Sequence, residues 1–337
     1  MKHINLSYLS QLSTGCKLPA LVIIGLLSTV LLSGCATIKL GQSYDKPIQE
    51  QVIEKGKSDD KVLIININGL LSDSPKTGLL STAPSLLDSV MMQLKKAEKD
   101  KKIKAVLLKI NSPGGGVTVS DILYHELMAF KERTHKKIYV QMMDVAASGG
   151  LYIAMAADHI QAHPSTITGS VGVIIINADL SGTMKKVGAE VNVYKTGENK
   201  DMGSPFRQAS ESDKQVFQGL VDQMANRFYE IVQTKRKLSD SQMAVLKTAR
   251  VFTGETAVQT GLIDSLGYLS DATKKACKLA DSKDCKVVTY RFTENANATS
   301  YSPSMQANSS DQAWKILDIP MLDQLKLKSG MYYLYLQ

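Results

Sequence analysis

An α/β fold built on a largely parallel sheet is predicted for this 337-residue chain, and three features predict it. Runs rich in Ile, Val and Leu recur at 61–71, 103–110 and 137–143, each the length of a buried strand. Between them, 84–99 and 118–133 carry apolar residues at helical spacing. Two of the strand-like runs end in glycine-rich turns, "NSPGGG" (111–116) and "DVAASGG" (144–150). Strand–helix alternation of this kind favours parallel strands joined by crossover helices.

Each element has its own warrant. "KVLIININGLL" (61–71) is a strand running to the turn signal Asn68-Gly69. Residues 84–99 open on a proline and form an amphipathic helix. "IKAVLLKI" (103–110) and "KIYVQMM" (137–143) are the next strands, with the 118–133 helix between them. "LYIAMAAD" (151–158) continues from the second glycine turn as a helix of small residues, and 159–176 supplies short strand pieces around turns. Residues 178–196 are expected to give a helix and the strand "VNVYKT", and 198–210 an irregular polar loop. A long helix over 210–235 is capped by Ser210 or Ser212, and a second over 239–248 by Ser239 or Asp240. A strand, a helix and a glycine turn over 250–268 close the compact part.

The expected organisation is a leader over 1–34, a tether over 35–60, a catalytic-sized domain over 61–290, a flexible linker over 291–312 and an apolar tail over 313–337. The leader rests on Lys2 and Lys17, the fifteen-residue apolar run 18–32 and the sequence Leu32-Ser33-Gly34-Cys35. This resembles a bacterial lipoprotein signal, in which the cysteine is lipidated and becomes the new N-terminus. A transmembrane anchor is the other reading, but fifteen apolar residues are short against the roughly 20 a span needs. On the lipoprotein reading Cys35 tethers the chain to a lipid membrane in the bacterial cell envelope, with the folded domain in the periplasm.

Composition narrows the function. Hydrophobic residues make up 44% and charged residues 21%, an ordinary globular balance. The net charge of +8 comes from lysines scattered over pieces such as 95–104 and 274–278, without interleaved aromatics or a DNA-binding motif, so no nucleic-acid partner is expected. Neither GxxxxGK[ST] nor GxGxxG occurs, which leaves no phosphate or dinucleotide fingerprint. Of the four cysteines, Cys277 and Cys285 remain after the leader and Cys35. They read as a structural disulfide in an oxidising compartment, with free thiols as the alternative. No further ligands lie beside them, so neither metal nor cofactor is expected.

The chemistry is concentrated in the two glycine turns. Three glycines after Pro113 are either a tight strand–helix turn or a set of exposed backbone donors for a developing oxyanion. In "AASGGLY", Ser148 is either part of a small-residue packing stretch or a nucleophile where a strand meets a helix. The pattern is not GxSxG, which disfavours an ordinary α/β-hydrolase elbow. A nucleophile needs a base. Of His3, His125, His135, His159 and His163, none stands in an obvious triad pattern with an acid. A lysine serves if burial lowers its pKa toward neutrality, and Lys200 in "NKDMGSPFR" is the candidate.

Taken together and in this order, "VLLKINSPGGGV", "DVAASGGLYIA", "TITGSVGV" and "NKDMGSPFR" resemble the signal peptide peptidase A family, the S49 serine peptidases, over roughly 61–270. The resemblance implies a ClpP/crotonase-like fold and a Ser–Lys dyad. Ser148 matches the nucleophile and Lys200, 52 residues later, the general base. Ser170 matches a serine that orients the lysine, and Gly115 and Gly149 match the oxyanion donors. It further implies peptide substrates, among them signal-peptide remnants, and a homo-oligomer in which neighbouring copies complete the site. The chain departs from the family pattern in its lipoprotein-like leader and in the tail after 294. Three other readings are an NfeD-type membrane protease, an inactive oligomeric scaffold and a crotonase-type acyl-CoA enzyme. The last would have no need of Ser148, and a scaffold would have no need to keep both Ser148 and Lys200.

Overall fold

A computed structural model describes residues 46–77, 82–303 and 331–335. The leader, Cys35 and residues 304–330 lie outside the described residues. In chain order the first elements are β1 (Gln49–Glu54), β2 (Lys61–Asn68), the small hairpin β3 (Lys76–Thr77) and β4 (Thr82–Ala83), α1 (Leu86–Lys99), β5 (Ile103–Ser112), β6 (Gly114–Gly116) and α2 (Val117–Thr134). The central part holds β7 (Lys137–Ala147), α3 (Gly149–Ala154), β8 (His159–Ala162), β9 (Ile167–Gly169), β10 (Ile174–Ile175), α4 (Ser181–Lys186) and a 3₁₀ turn (Glu198–Asp201). Then follow α5 (Glu211–Arg236), α6 (Asp240–Leu246), β11 (Val251–Thr253), α7 (Gly254–Gln259), β12 (Ser265–Leu266), α8 (Leu269–Leu279), β13 (Lys286–Arg291) and β14 (Met331–Leu334).

The main sheet runs β1-β13-β2-β5-β7-β8-β12, with β9 on the far end of β7 and β11 on β9. Every pair from β13 to β12 is parallel, and only the outermost pairs β1·β13 and β11·β9 are antiparallel. Alternation along the strands sorts the core into two layers. Leu63, Ile65, Val106, Leu108, Ile138 and Val140 face α1 and α2, which contribute Val90, Leu94, Leu123, Leu127 and Phe130. Val62, Ile64, Ala105 and Leu107 face α8, which contributes Leu269, Ala272 and Ala276. Burial on both faces is why these strands read as unbroken apolar runs.

Helix starts follow cap chemistry. Ser210, not Ser212, caps α5 in a reciprocal box with Asp213, and Ser239, not Asp240, caps α6 with Gln242. Cys277 in α8 and Cys285 before β13 form a disulfide, with Cα atoms 5.9 Å apart.

Several expectations shift. Part of the stretch read as a tether is an edge strand, because β1 pairs with β13. "VNVYKT" forms no strand. It lies on an extension over about 176–210 where few residues are buried and no neighbouring strand offers a ladder. The helix expected there shrinks to α4. Within the stretch read as a linker, residues 294–303 fold back on the sheet, and Ser300 and Ser302 give their carbonyls to the buried Lys109. Among the described residues no helix is long and apolar enough to cross a membrane.

Candidate active site

β7 passes the edge of β8 and continues beside β9, so that Ala147 stands level with Gly169. Ser148 follows at once, in a left-handed conformation (φ 52°, ψ −116°), and caps α3. A non-glycine residue there carries strain of about 1–3 kcal/mol and persists only where the surroundings fix it. Its N–H donates to the Gly169 carbonyl at 2.8 Å, and its own carbonyl accepts from the Tyr152 N–H at 2.9 Å. The side chain is 1% exposed, and the Oγ lies 3.5 Å from the Gly172 carbonyl oxygen. The turn after it tolerates only glycine. A Cβ on Gly149 would meet Ser120 Oγ at 2.6 Å, and one on Gly150 would meet the Ser112 carbonyl at 2.8 Å.

The "NSPGGG" turn is the facing wall. The Leu71 N–H donates to Gly114 and the Leu71 carbonyl accepts from Gly116, a parallel bridge centred on Gly115. In such a bridge the central residue's own N–H and C=O point to the other side. That other side is occupied by β14. It lies antiparallel to β6, with Tyr333 level with Gly115, and antiparallel to β10 on its opposite edge. The Tyr335 N–H donates to the Pro113 carbonyl at 2.8 Å, so alternation of the ladder makes Tyr333 and Gly115 a hydrogen-bonded pair. The Gly115 N–H therefore faces the Tyr333 carbonyl. A Cβ on Gly114 would lie 2.0 Å from that carbonyl oxygen and 2.8 Å from the Gly149 nitrogen, which brings Gly149 to the same spot.

The tail strand marks a groove one strand wide, closed by β6 and β10, running past Ser148. The Tyr333 ring is buried in a pocket, stacked on Tyr152 at 4.9 Å and edge-on to Phe228 at 5.0 Å, with its hydroxyl donating to the Met224 carbonyl. Tyr152 in turn donates to Asp121 at 2.6 Å, and Arg227 pairs with the same carboxylate. Burial holds both phenols well above their ordinary pKa. Sequence reasoning expected an apolar docking tail over 313–337 but neither the strand it forms nor this pocket. The apolar, tyrosine-rich run "MYYLY" (331–335) is the signal that marks the tail as a strand.

Ser170 follows β9, again with positive φ (52°) and largely buried, and its N–H donates to the Arg250 carbonyl. Because β9 lies against the end of β7, Ser170 sits next to the Ser148 turn. The structure thus brings Ser148, Ser170, Gly115 and Gly149 together. It does not bring Lys200 to them within one chain. Lys200 is exposed on the 3₁₀ turn, and among the described residues its ammonium has no hydrogen bond or ion pair. Around it Lys195 and Arg207 hold Asp201, and Arg207 also holds Asp213. Among the described residues no histidine takes its place. His159 bonds Ser265 and stacks on Tyr139, and His163 packs edge-on to Tyr268, with burial lowering the pKa of each. Among the described residues no His/Cys/Asp/Glu cluster could hold a metal.

A strained serine at a strand–helix junction, backbone donors beside it and a groove that pairs with extended peptide define a serine peptidase of α/β class. Comparison with known proteins agrees. The model of peptidase family S49 matches residues 130–283, and that of Clp protease matches 81–168. A candidate signal peptide peptidase SppA of Enterococcus faecium is 34% identical over 274 residues, covering 81% of this chain and 78% of that protein. Protease 4 of Haemophilus influenzae is 32% identical over 66% of this chain but 35% of its own length. The chloroplastic serine protease SPPA of Arabidopsis thaliana is 33% identical over 63% of this chain and 31% of its own length. The chain belongs to the SppA family of S49 serine peptidases.

Proposed function

We propose that this peptidase works through a Ser–Lys dyad of Ser148 and Lys200. Ser148 Oγ attacks the substrate carbonyl, and the neutral Lys200 amine takes its proton. The N–H groups of Gly115 and Gly149 stabilise the oxyanion of the tetrahedral intermediate. Collapse expels the leaving amine, which takes the Ser148 proton from Lys200. Water then enters, gives a proton to Lys200 and attacks the acyl carbon; the second collapse releases the acid, and Ser148 Oγ takes that proton from Lys200. Ser170 orients the lysine. The observation that supports this reading is the Tyr333 carbonyl, which the β6·β14 ladder sets against the Gly115 N–H, beside the turn that carries Ser148 and Gly149.

In this reading Lys200 reaches a serine only when copies of the chain assemble. The extension bearing it exposes Ile176, Leu180, Val187, Val191, Val193 and Phe206, and Tyr194 is 96% exposed. Such a surface suits burial against a second copy. The substrates are extended peptides rich in small hydrophobic residues, such as signal-peptide remnants, and unfolded segments. The enzyme is held at the membrane of the bacterial cell envelope through lipid on Cys35, with the peptidase domain in the periplasm. The test is hydrolysis of a mixed set of quenched fluorogenic peptides by the assembled wild type, Ser148→Ala and Lys200→Ala. Loss of at least about 10³-fold in both variants is expected. Wild-type rates in Ser148→Ala overturn the nucleophile, and wild-type rates in Lys200→Ala overturn the base.

A further inference from the structure

A row of polar residues crosses the sheet on the face that α8 only partly covers. Asn66 on β2 stands level with Lys109 on β5. Continuing the Thr289–Ile64 register by two residues brings Arg291 on β13 level with Asn66. Neighbouring strands lie about 4.8 Å apart, so the three side chains stand abreast on one face. Lys109 is 3% exposed and Arg291 8%. Residues 299–302 roof the row, with Ser300 and Ser302 giving carbonyls to Lys109 and Ser302 also accepting from Asn66.

Two buried cations on adjacent ground call for an anion. Among the described residues neither has an acidic partner. Glu54, beneath the same roof, is exposed and accepts from the Ser300 hydroxyl. The unpaired atoms of Arg291 are Nε and Nη2, both buried. These two N–H groups form one edge of the guanidinium, the fork that grips both oxygens of a carboxylate. Elsewhere in this chain the same edge does that. Arg133 holds Glu98 through Nε to Oε1 at 3.1 Å and Nη2 to Oε2 at 3.4 Å.

We infer that Arg291 and Lys109 form a binding site for a carboxylate, gripped side-on by the Arg291 fork and faced by the Lys109 ammonium. The carboxylate is either a free one, such as the new C-terminus of a short peptide, or a side chain of a second copy of this chain. The inference does not depend on the catalytic reading.

The test uses the full chain and sodium acetate as probe, with sodium chloride at equal ionic strength as control. Thermal unfolding and sedimentation are followed for wild type, Arg291→Lys and Lys109→Met. Arg291→Lys keeps the charge and removes the fork, so it separates loss of recognition from loss of folding. For a free ligand, acetate raises the wild-type midpoint saturably, and Arg291→Lys weakens the apparent affinity by at least about tenfold. For a second copy, wild type associates, acetate competes, and Arg291→Lys dissociates at the same protein concentration. Lys109→Met weakens whichever response wild type shows. If wild type responds to acetate no more than to chloride and assembles as Arg291→Lys does, the site is overturned. An Arg291→Lys response equal to that of wild type overturns it as well.

Discussion

The backbone N–H of Ser148 donates to the carbonyl of Gly169 at 2.8 Å and extends the β7·β9 pairing into the turn where Ser148 takes positive φ. Gly169 is itself in positive φ (91°), and a Cβ there would meet Phe252 Cδ2 at 2.6 Å and the Arg250 carbonyl at 2.8 Å. Gly169→Ala is therefore expected to destabilise the fold by about 1–3 kcal/mol and to release the serine turn. Peptidase activity should fall more steeply than the folded fraction. Denaturant unfolding and peptide hydrolysis on the same sample check this. An unchanged rate in a destabilised protein would show that the bond is not needed to hold Ser148.

On the proposed reading, the tail strand between β6 and β10 competes with substrate peptide for the groove. A chain ending before Met331, or Tyr333→Ala in the full-length chain, should lower KM for short peptides several-fold with kcat little changed. Progress curves over a range of peptide concentrations give both constants. A KM that does not move would mean that the tail leaves the groove too readily to compete.

The Cys277–Cys285 bridge closes a short loop between α8 and β13. Loop-closure entropy for a span of this size corresponds to about 2–3 kcal/mol. Replacing both cysteines by serine is expected to lower the unfolding midpoint, and reductant should have the same effect on wild type and none on the variant. Unfolding with and without reductant measures both.

Asp213 ends the Arg207 network and completes the α5 capping box. The Arg207 hydrogen bond, followed by the Ser210 N–H, holds its carboxyl well below the ordinary 3.8. A depressed folded pKa gives stability that is full above the unfolded value and lost as pH falls through the folded one. The contribution should thus be constant from neutral pH to about 5 and fade below about 4. Asp213→Asn should be less stable than wild type at pH 7 and should lose less on acidification. Thermal unfolding between pH 3 and 7 tests the sign.

The apolar strands and the amphipathic helices were legible because burial on both faces of a parallel sheet writes continuous Ile/Val/Leu runs. The two glycine turns were legible because close backbone approach at Gly114, Gly115 and Gly150 leaves so few residue types; the roles given to Ser148, Gly115 and Gly149 came with the family resemblance. Other parts were not. "VNVYKT" has strand composition, but an extension with no neighbouring strand gives it nothing to pair with. The β1 edge strand, "QEQVIE" (49–54), is polar because only one side is covered, and it passed for tether. Lys200 was named from its motif and the family resemblance, and within one chain it is exposed, so burial gives no account of it. The third strand of the groove, Met331–Leu334, is four residues long, too short for its pattern to name the strands it pairs with.

The groove between β6 and β10 is one strand wide and makes its contacts through main-chain atoms. A polypeptide can enter only if its own N–H and C=O groups are free on both edges. A segment inside a helix or a finished sheet has already committed them. Selection at this cleft therefore begins with whether the target is folded, and only then with which side chain fills the aromatic pocket. On the proposed reading, such a cleft would spare folded neighbours and act on chain that has its main-chain groups free.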